Sequence, residues 1–497
     1  MFEWHFRISP DQIPLPLLEK SYFARWGRIP CPTLTRFHGD EFLIFSDNAG
    51  SGTIHVPRPN PVFGIMMEAT ESLLSRDTPY ILMKELARGA LGRFTRRLFD
   101  WQMLGFVCPE HLAEQGRAAV KRFAQLVVET EFTPNLEQEF VLILNDILQI
   151  ITAETRAFTD QSLAWRMRNH DKIPLRFGIG MRRQRIDSLY EFDMYAKFLR
   201  ESFQTVLPSP SWRELEPQPG IYDWERLEKQ VIIPARFGFQ IILGPLLSFD
   251  TKQLPEWLVP RLSEEGCLET NASLFVNAVT ERYGKVISGL ILADRFMETQ
   301  IRMLPPERSV ELVRILAQQL RSRGYESPLI VCINQPWGEY ALDGNSEWEQ
   351  IHIAEQLVGC KEIDAFLLEM NFGGGEYLTL PRDPVSIGNM VDQWSFLGKK
   401  MLVSISVPSA GNILSVPFES GRGLQWSDEL QRQWTETLLT TLLGKRLVQG
   451  IFWSRLQDGG HLPDNREGEI GCGLVSSNLE LKPAVHHFRA ATKALLK

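Results

Sequence analysis

The sequence predicts an α/β architecture: a (β/α)8 TIM barrel over residues 173–497, preceded by a β-rich N-terminal module at 1–77 and a helical brace at 78–172. Three observations predict it. From residue 173 onward, short apolar runs rich in β-branched and aromatic residues alternate with amphipathic stretches, giving eight strand–helix units in roughly 320 residues, as a closed parallel barrel requires. The apolar runs are nearly continuous, which fits parallel strands covered on both faces. Upstream, the pattern is strand-like to about residue 77 and helical from there to the barrel.

In the first module, Glu41–Ser46 and 53–56 flank the Gly-rich segment 47–52 and read as a β-hairpin, with 62–68 as a third strand. A small β-sandwich or sheet is expected. In the brace, 113–130 carries apolar residues at helical spacing. A further helix starts at Thr133-Pro134-Asn135-Leu136-Glu137, where Thr133 can cap, Pro134 suits the first turn and Glu137 lies early. Apolar spacing continues through Ile147 and Ile151, so this helix should exceed about 25 residues. It reads as a hairpin bracing two domains; the sharper reading is an oligomerisation arm. The barrel strands are expected at 175–181, 202–207, 239–247, 286–293, 329–334, 363–371, 400–407 and 449–454, with helices at 188–200, 224–237, 306–323, 428–445 and 483–496.

Composition narrows the function classes. Lys plus Arg is 53 and Asp plus Glu is 61, a net charge of -8, which argues against a general nucleic-acid binder with its basic footprint. The cluster Arg182-Arg183-Gln184-Arg185 reads as a solvated loop. None of the six cysteines forms a CxxC pair, so no metal-ligand spacing is visible, and they are too sparse for a disulfide framework. No metal or cofactor is expected. No run of about 18 apolar residues is present to span a membrane, and Met1–Arg7 lacks the basic and apolar regions of a signal peptide. The expected localisation is cytoplasmic, with no membrane partner.

The chemistry of such a barrel lies at the C-terminal ends of its strands. Five segments order that region: 212–224 (Trp-Arg-Glu-Leu-Glu-Pro-Gln-Pro-Gly-Ile-Tyr-Asp-Trp), Gln253-Leu-Pro-Glu-Trp257, Tyr283-Gly-Lys-Val-Ile287, Ile363-Asp-Ala-Phe366, and Ile451-Phe-Trp453 followed by Leu481-Lys-Pro-Ala484. In kind, order and spacing they resemble glycoside hydrolase family 10, over roughly residues 175–497. That resemblance implies a barrel that cleaves β-1,4-xylan and related glycans with retention, using two carboxylates.

Carried over position by position, the resemblance gives a partial site. The acid/base glutamate after strand four corresponds to Asp294, one methylene shorter, and the asparagine before it to Ala293. Asp294 can equally cap the next helix. The nucleophile after strand seven corresponds to Ser406, which has no visible activating base, so the family's nucleophile is not retained. Pro208 and Ser211 replace the Asn and Lys near strand two, and Leu246–Asp250 replaces a His-containing stretch. At strand six, Glu369 and Asn371 stand where the family has Gln and His, so Glu369 is a gained carboxylate. The Gly373–Gly375 run beside it could let backbone approach a ligand, or simply turn; it is no phosphate loop, since GxxxxGK[ST] is absent.

Trp453 matches the family's strand-eight tryptophan, and Trp337 follows strand five. Both are candidate sugar platforms, since an aromatic face stacks on the C–H face of a pyranose; core packing is the plain alternative, and Trp212 reads as structural. Asn334 and Gln253 complete the candidate substrate-binding set. In the loop 458–471, His461, Asp464 and Glu467 could meet substrate or a cation, or be merely solvated. His486-His487 reads as a surface pair.

The functional expectation is a diverged O-glycosyl hydrolase acting on a β-linked glycan in carbohydrate metabolism, with an oligo- or polysaccharide partner, Asp294 as general acid and Glu369 as second carboxylate. The alternative is a catalytically inactive pseudo-glycosidase that binds glycan or scaffolds partners.

Overall fold

The computed structural model describes residues 1–25, 29–47, 50–169, 173–181, 189–297, 305–344, 349–373, 379–411, 425–458 and 471–495. The Arg182–Arg185 cluster, Gly374, Gly375, His461, Asp464 and Glu467 lie outside the described residues.

The eight expected strands form one closed parallel ring: Arg176–Gly180, Thr205–Leu207, Gln240–Leu243, Gly289–Asp294, Leu329–Asn334, Ala365–Asn371, Lys400–Ser406 and Val448–Trp453. Closure is seen where strand one pairs strand eight (Ile179 with Trp453) and strand three pairs strand four (Leu243 with Leu290). Strand three breaks at Gly244-Pro245 and resumes as Leu247–Ser248, which pairs Ser248 with Asp294. The expected single run 239–247 is thus two pieces, because Pro245 has no N–H to give a continuous ladder.

The interior is small and apolar. Leu207, Ile242, Ile291, Ile330, Cys332, Leu367 and Phe452, from six of the strands, pack as one cluster apart from the main core, with Leu402 of strand seven against it. Phe452 fills the space opposite Gly178, where a Cβ would stand 2.4 Å from its ring, so glycine is required there. This cluster fixes which face of each strand looks inward, since side chains alternate. Counting on from Cys332, Leu367 and Leu402, the next inward positions toward the C-terminal ends are Asn334, Glu369 and Asn371, and Ser404 and Ser406.

The N-terminal module is two packed sheets. One has the order Leu34–His38, Glu41–Ser46, Phe2–Arg7, Arg76–Ile81; the other runs Ile29–Pro30, Tyr22–Arg25, Ser51–Asn60, Gly64–Ala69, with Leu73–Leu74 against the first residues of Ser51–Asn60. Trp4 of the first sheet stacks on Phe23 of the second at 4.5 Å. The expected hairpin across 47–52 does not form. Glu41–Ser46 already has a partner on each side, so the chain crosses to the other sheet before Ser51–Asn60 begins. The strand Arg76–Ile81 runs past residue 77, directly into the first helix of the brace, Leu82–Met103.

Glu110–Leu126 and Pro134–Asn169 complete the brace. The last spans 36 residues, and Thr133 Oγ1 accepts from the Leu136 N–H at 3.2 Å, the capping its sequence suggested. These helices lie along the barrel helices that precede strands seven and eight. Arg93 pairs with Asp383 in a buried contact at 3.1 Å, and Thr159 Oγ1 donates to the Thr440 carbonyl at 2.9 Å. The module docks through Trp434, whose indole N–H donates to the Phe63 carbonyl at 2.9 Å. Among the described residues, no helix is long and apolar enough to cross a membrane.

Candidate functional site

Strands four, five and six end side by side, and residues at or beside their ends form a hydrogen-bonded relay. Asp294 closes strand four, and a register shift in that strand precedes Ala293. The next residue, Arg295, takes a left-handed backbone with φ of 59°, a conformation that costs a non-glycine residue of order 1 kcal/mol and needs support. Its N–H donates to Asn334 Oδ1 at 2.8 Å, and its guanidinium reaches Asp250 at 3.2 Å. Asn334 in turn donates through Nδ2 to the Glu369 carboxylate. Gln350 donates to the Asn334 carbonyl at 2.8 Å, which fixes the end of strand five from outside.

Asp294 and Glu369 are therefore separated by one strand. Adjacent strands lie about 4.8 Å apart, which puts the two backbones roughly 9–10 Å apart. Asp294 is buried, lies 3.9 Å from the Arg295 guanidinium and opens on a cavity of about 360 Å³ that it shares with Gln253, Ser248 and Trp212. Glu369 is half-buried and does not line that cavity. Asn371 accepts from Ser406 Oγ at 2.7 Å. Ser406 is buried at the C-terminal end of strand seven, on the inward face of the ring.

Both tryptophan platforms are corrections. Trp453 follows the inward Phe452, so it points outward. It is wholly buried, donates to the Cys472 carbonyl at 2.7 Å and meets Phe488 of the last helix edge-on. Trp337 is buried against Phe372, with the Arg382 guanidinium 4.4 Å above its ring, at the junction with the N-terminal module. Trp453 offers no face to a sugar, and Trp337 lies at a cavity beside the N-terminal module instead of beside the carboxylates. Trp212 is structural, stacked 4.8 Å from Phe275.

Of the sequence candidates, the fold thus joins Asn334 to Glu369 by a hydrogen bond and Asp294 to Gln253 through a shared cavity, and sets both tryptophans apart. Arg295 and Asp250 were missed. Their signal was present: a charged pair directly after a fully apolar strand, and an aspartate closing the stretch after strand three. Among the described residues at the ends of strands three to six, Asp250, Asp294 and Glu369 stand with Arg295 and Asn334, a set of acceptors and donors suited to hydroxyl groups. Among the described residues, no group of three or more His, Cys, Asp or Glu could hold a metal ion.

The fold and the described residues define a (β/α)8 barrel whose strands four and six carry the carboxylates of Asp294 and Glu369 at their C-terminal ends. Neither a family model nor a curated protein matches the sequence. Among solved structures, the chain is similar to xylanase 10B from Thermotoga petrophila RKU-1 in complex with xylobiose, at 14% identity over 66% of this chain and 96% of that one, with a TM-score of 0.48. It is similar also to native xylanase 10B from Thermotoga maritima (14% identity, 65% and 96%, TM-score 0.49). A third is the glycosylated endo-β-1,4-xylanase of glycoside hydrolase family 10 from Gloeophyllum trabeum (17% identity, 65% and 97%, TM-score 0.47).

Proposed function

We propose that the barrel mouth is the site of a diverged O-glycosyl hydrolase acting on a β-linked glycan. The observation that carries this reading is the relay from Arg295 through Asn334 to Glu369, which sets two carboxylates one strand apart with Asp294 opening on a cavity. In this reading Asp294 protonates the leaving-group oxygen. Glu369, oriented by the Asn334 amide, acts on the other face of the sugar. Strands four and six are not adjacent and aspartate is the shorter side chain, which tilts the pair toward an inverting reaction, whose carboxyl groups stand about 6.5–9.5 Å apart to admit a water.

A second reading, glycan binding without turnover, is favoured by two observations. Ser406 stands where the resemblance implies a nucleophile and is engaged with Asn371, and no tryptophan platform is available at Trp453. A screen of aryl glycosides and polysaccharides separates the two, with hydrolysis and binding measured on the same samples. Turnover that is lost in Asp294→Asn supports the hydrolase. Saturable binding with no turnover in wild type supports the second reading, and neither binding nor turnover across the screen refutes both.

A further inference from the structure

The barrel carries a second cavity, of about 640 Å³, at the end opposite the mouth. It lies between the C-terminal turns of two brace helices and the segments that lead into strands seven and eight. Its floor is aromatic: Trp101 stacks on Phe158 at 4.5 Å, and Phe106 meets both edge-on at 5.9 and 5.8 Å. Its rim leaves large apolar side chains in water, including Phe396 at 90% exposure, Leu104 at 76% and Leu447 at 51%. Contiguous exposed apolar surface of this kind marks an interaction site.

Charge is unbalanced there. Among the described residues that line the cavity, Arg97, Arg168, Lys445 and Arg446 stand against the single carboxylate of Asp392. Arg97 and Lys445 share one oxygen of that carboxylate, each at 2.7 Å. Among the described residues, Arg168 and Arg446 meet no carboxylate at all; Arg446 lies over the Trp165 ring at 5.7 Å and Arg168 bonds the Ala164 carbonyl. Burial and the neighbouring Arg97 push the Lys445 ammonium down to about 8, as expected where cations outnumber their partner.

We infer that this groove docks an acidic peptide segment of a partner protein, with aromatic or aliphatic anchors on the Trp101–Phe158 floor and carboxylates on Arg168 and Arg446. A second copy of the chain fits less well. A two-fold interface sets a patch against itself, which would oppose cation to cation. A lipid surface fits less well because the site is concave, with its aromatic floor buried between helices. The groove opens away from the strand ends that hold Asp294 and Glu369, so an occupant leaves the mouth open.

The test uses the full chain and a fluorescein-labelled synthetic peptide in which glutamates alternate with leucine and phenylalanine, with its glutamine analogue as control. Fluorescence anisotropy should show saturable binding of the acidic peptide that salt weakens. The glutamine analogue should bind at least about tenfold more weakly, and Arg168→Glu/Arg446→Glu should lose at least about tenfold toward the acidic peptide. Phe396→Ser should weaken both peptides; all three substitutions fall on exposed side chains, so unchanged circular dichroism is expected. Equal binding of the two peptides overturns the inference, as does no binding of either. It is equally overturned by a dimer in sedimentation that Phe396→Ser dissolves, or by binding to phosphatidylserine vesicles in place of the peptide.

Discussion

Replacing Arg382 with methionine should loosen the joint between the N-terminal module and the barrel. Arg382 is buried and serves both units: it donates to the Leu380 carbonyl at 3.1 Å, to the Tyr22 hydroxyl at 2.8 Å and to Glu339 Oε1 at 2.5 Å. Glu339 is itself almost inaccessible, and it also accepts from the Thr379 hydroxyl at 3.4 Å. Methionine fills much of the volume but leaves Glu339 as a buried charge without its cation. Breaking a buried pair from one side costs about 3–5 kcal/mol, and loss of the contact over Trp337 adds about 1 kcal/mol. A chain of 497 residues need not unfold in one step, so the readout should be local. Native-state hydrogen exchange at Tyr22–Arg25 and at 379–383 should report a loss of about 3–5 kcal/mol in protection. The double variant Arg382→Met/Glu339→Gln should recover part of it, because the stranded charge is gone. A loss below about 1 kcal/mol, or no recovery in the double variant, would show that Arg382 does not hold this joint.

Three further outcomes are expected. Glu154 is buried in the brace with the Cys108 thiol donating to it at 3.2 Å, and burial pushes its carboxyl up to about 7. A raised carboxyl favours the fold while protonated, so stability should fall as pH rises from about 4.5 to about 7, and Glu154→Gln should remove that fall, gaining about 2–3 kcal/mol above pH 7 by denaturant titration. Trp453→Ala should cost about 3–5 kcal/mol of stability as a core truncation, while Trp453→Phe should leave any glycan affinity unchanged by calorimetry, since the ring faces away from the mouth. Ser406→Glu should raise xylan cleavage, followed by reducing-sugar release, by less than about 10²-fold, because Ser406 is already tied to Asn371 and the groups around it are not those of a nucleophile.

The sequence told most where a signal was local. Alternating apolar runs and helical stretches marked all eight barrel strands, and Thr133-Pro134 marked the start of the long helix. Failures came where the answer depended on contacts distant in the chain. The pattern around 47–52 looks like a hairpin, yet Glu41–Ser46 was already paired on both sides by Leu34–His38 and Phe2–Arg7. For the site, Asp294, Asn334 and Glu369 were legible as polar residues ending apolar strands. The facing of Trp453 was not, because Phe452 and Trp453 are both large and apolar, and only the Gly178 gap opposite Phe452 decides which one turns inward. Arg295 and Asp250 were missed because their link spans two strands and a left-handed turn.

The central question is whether Asp294 and Glu369 act together at the mouth. The direct measurement is kcat for wild type, Asp294→Asn and Glu369→Gln on the best substrate of the glycoside and polysaccharide screen, with binding of the same substrate measured for each. Each substitution should lower kcat by about 10²-fold or more with affinity largely kept. Full activity in both variants would contradict a joint role.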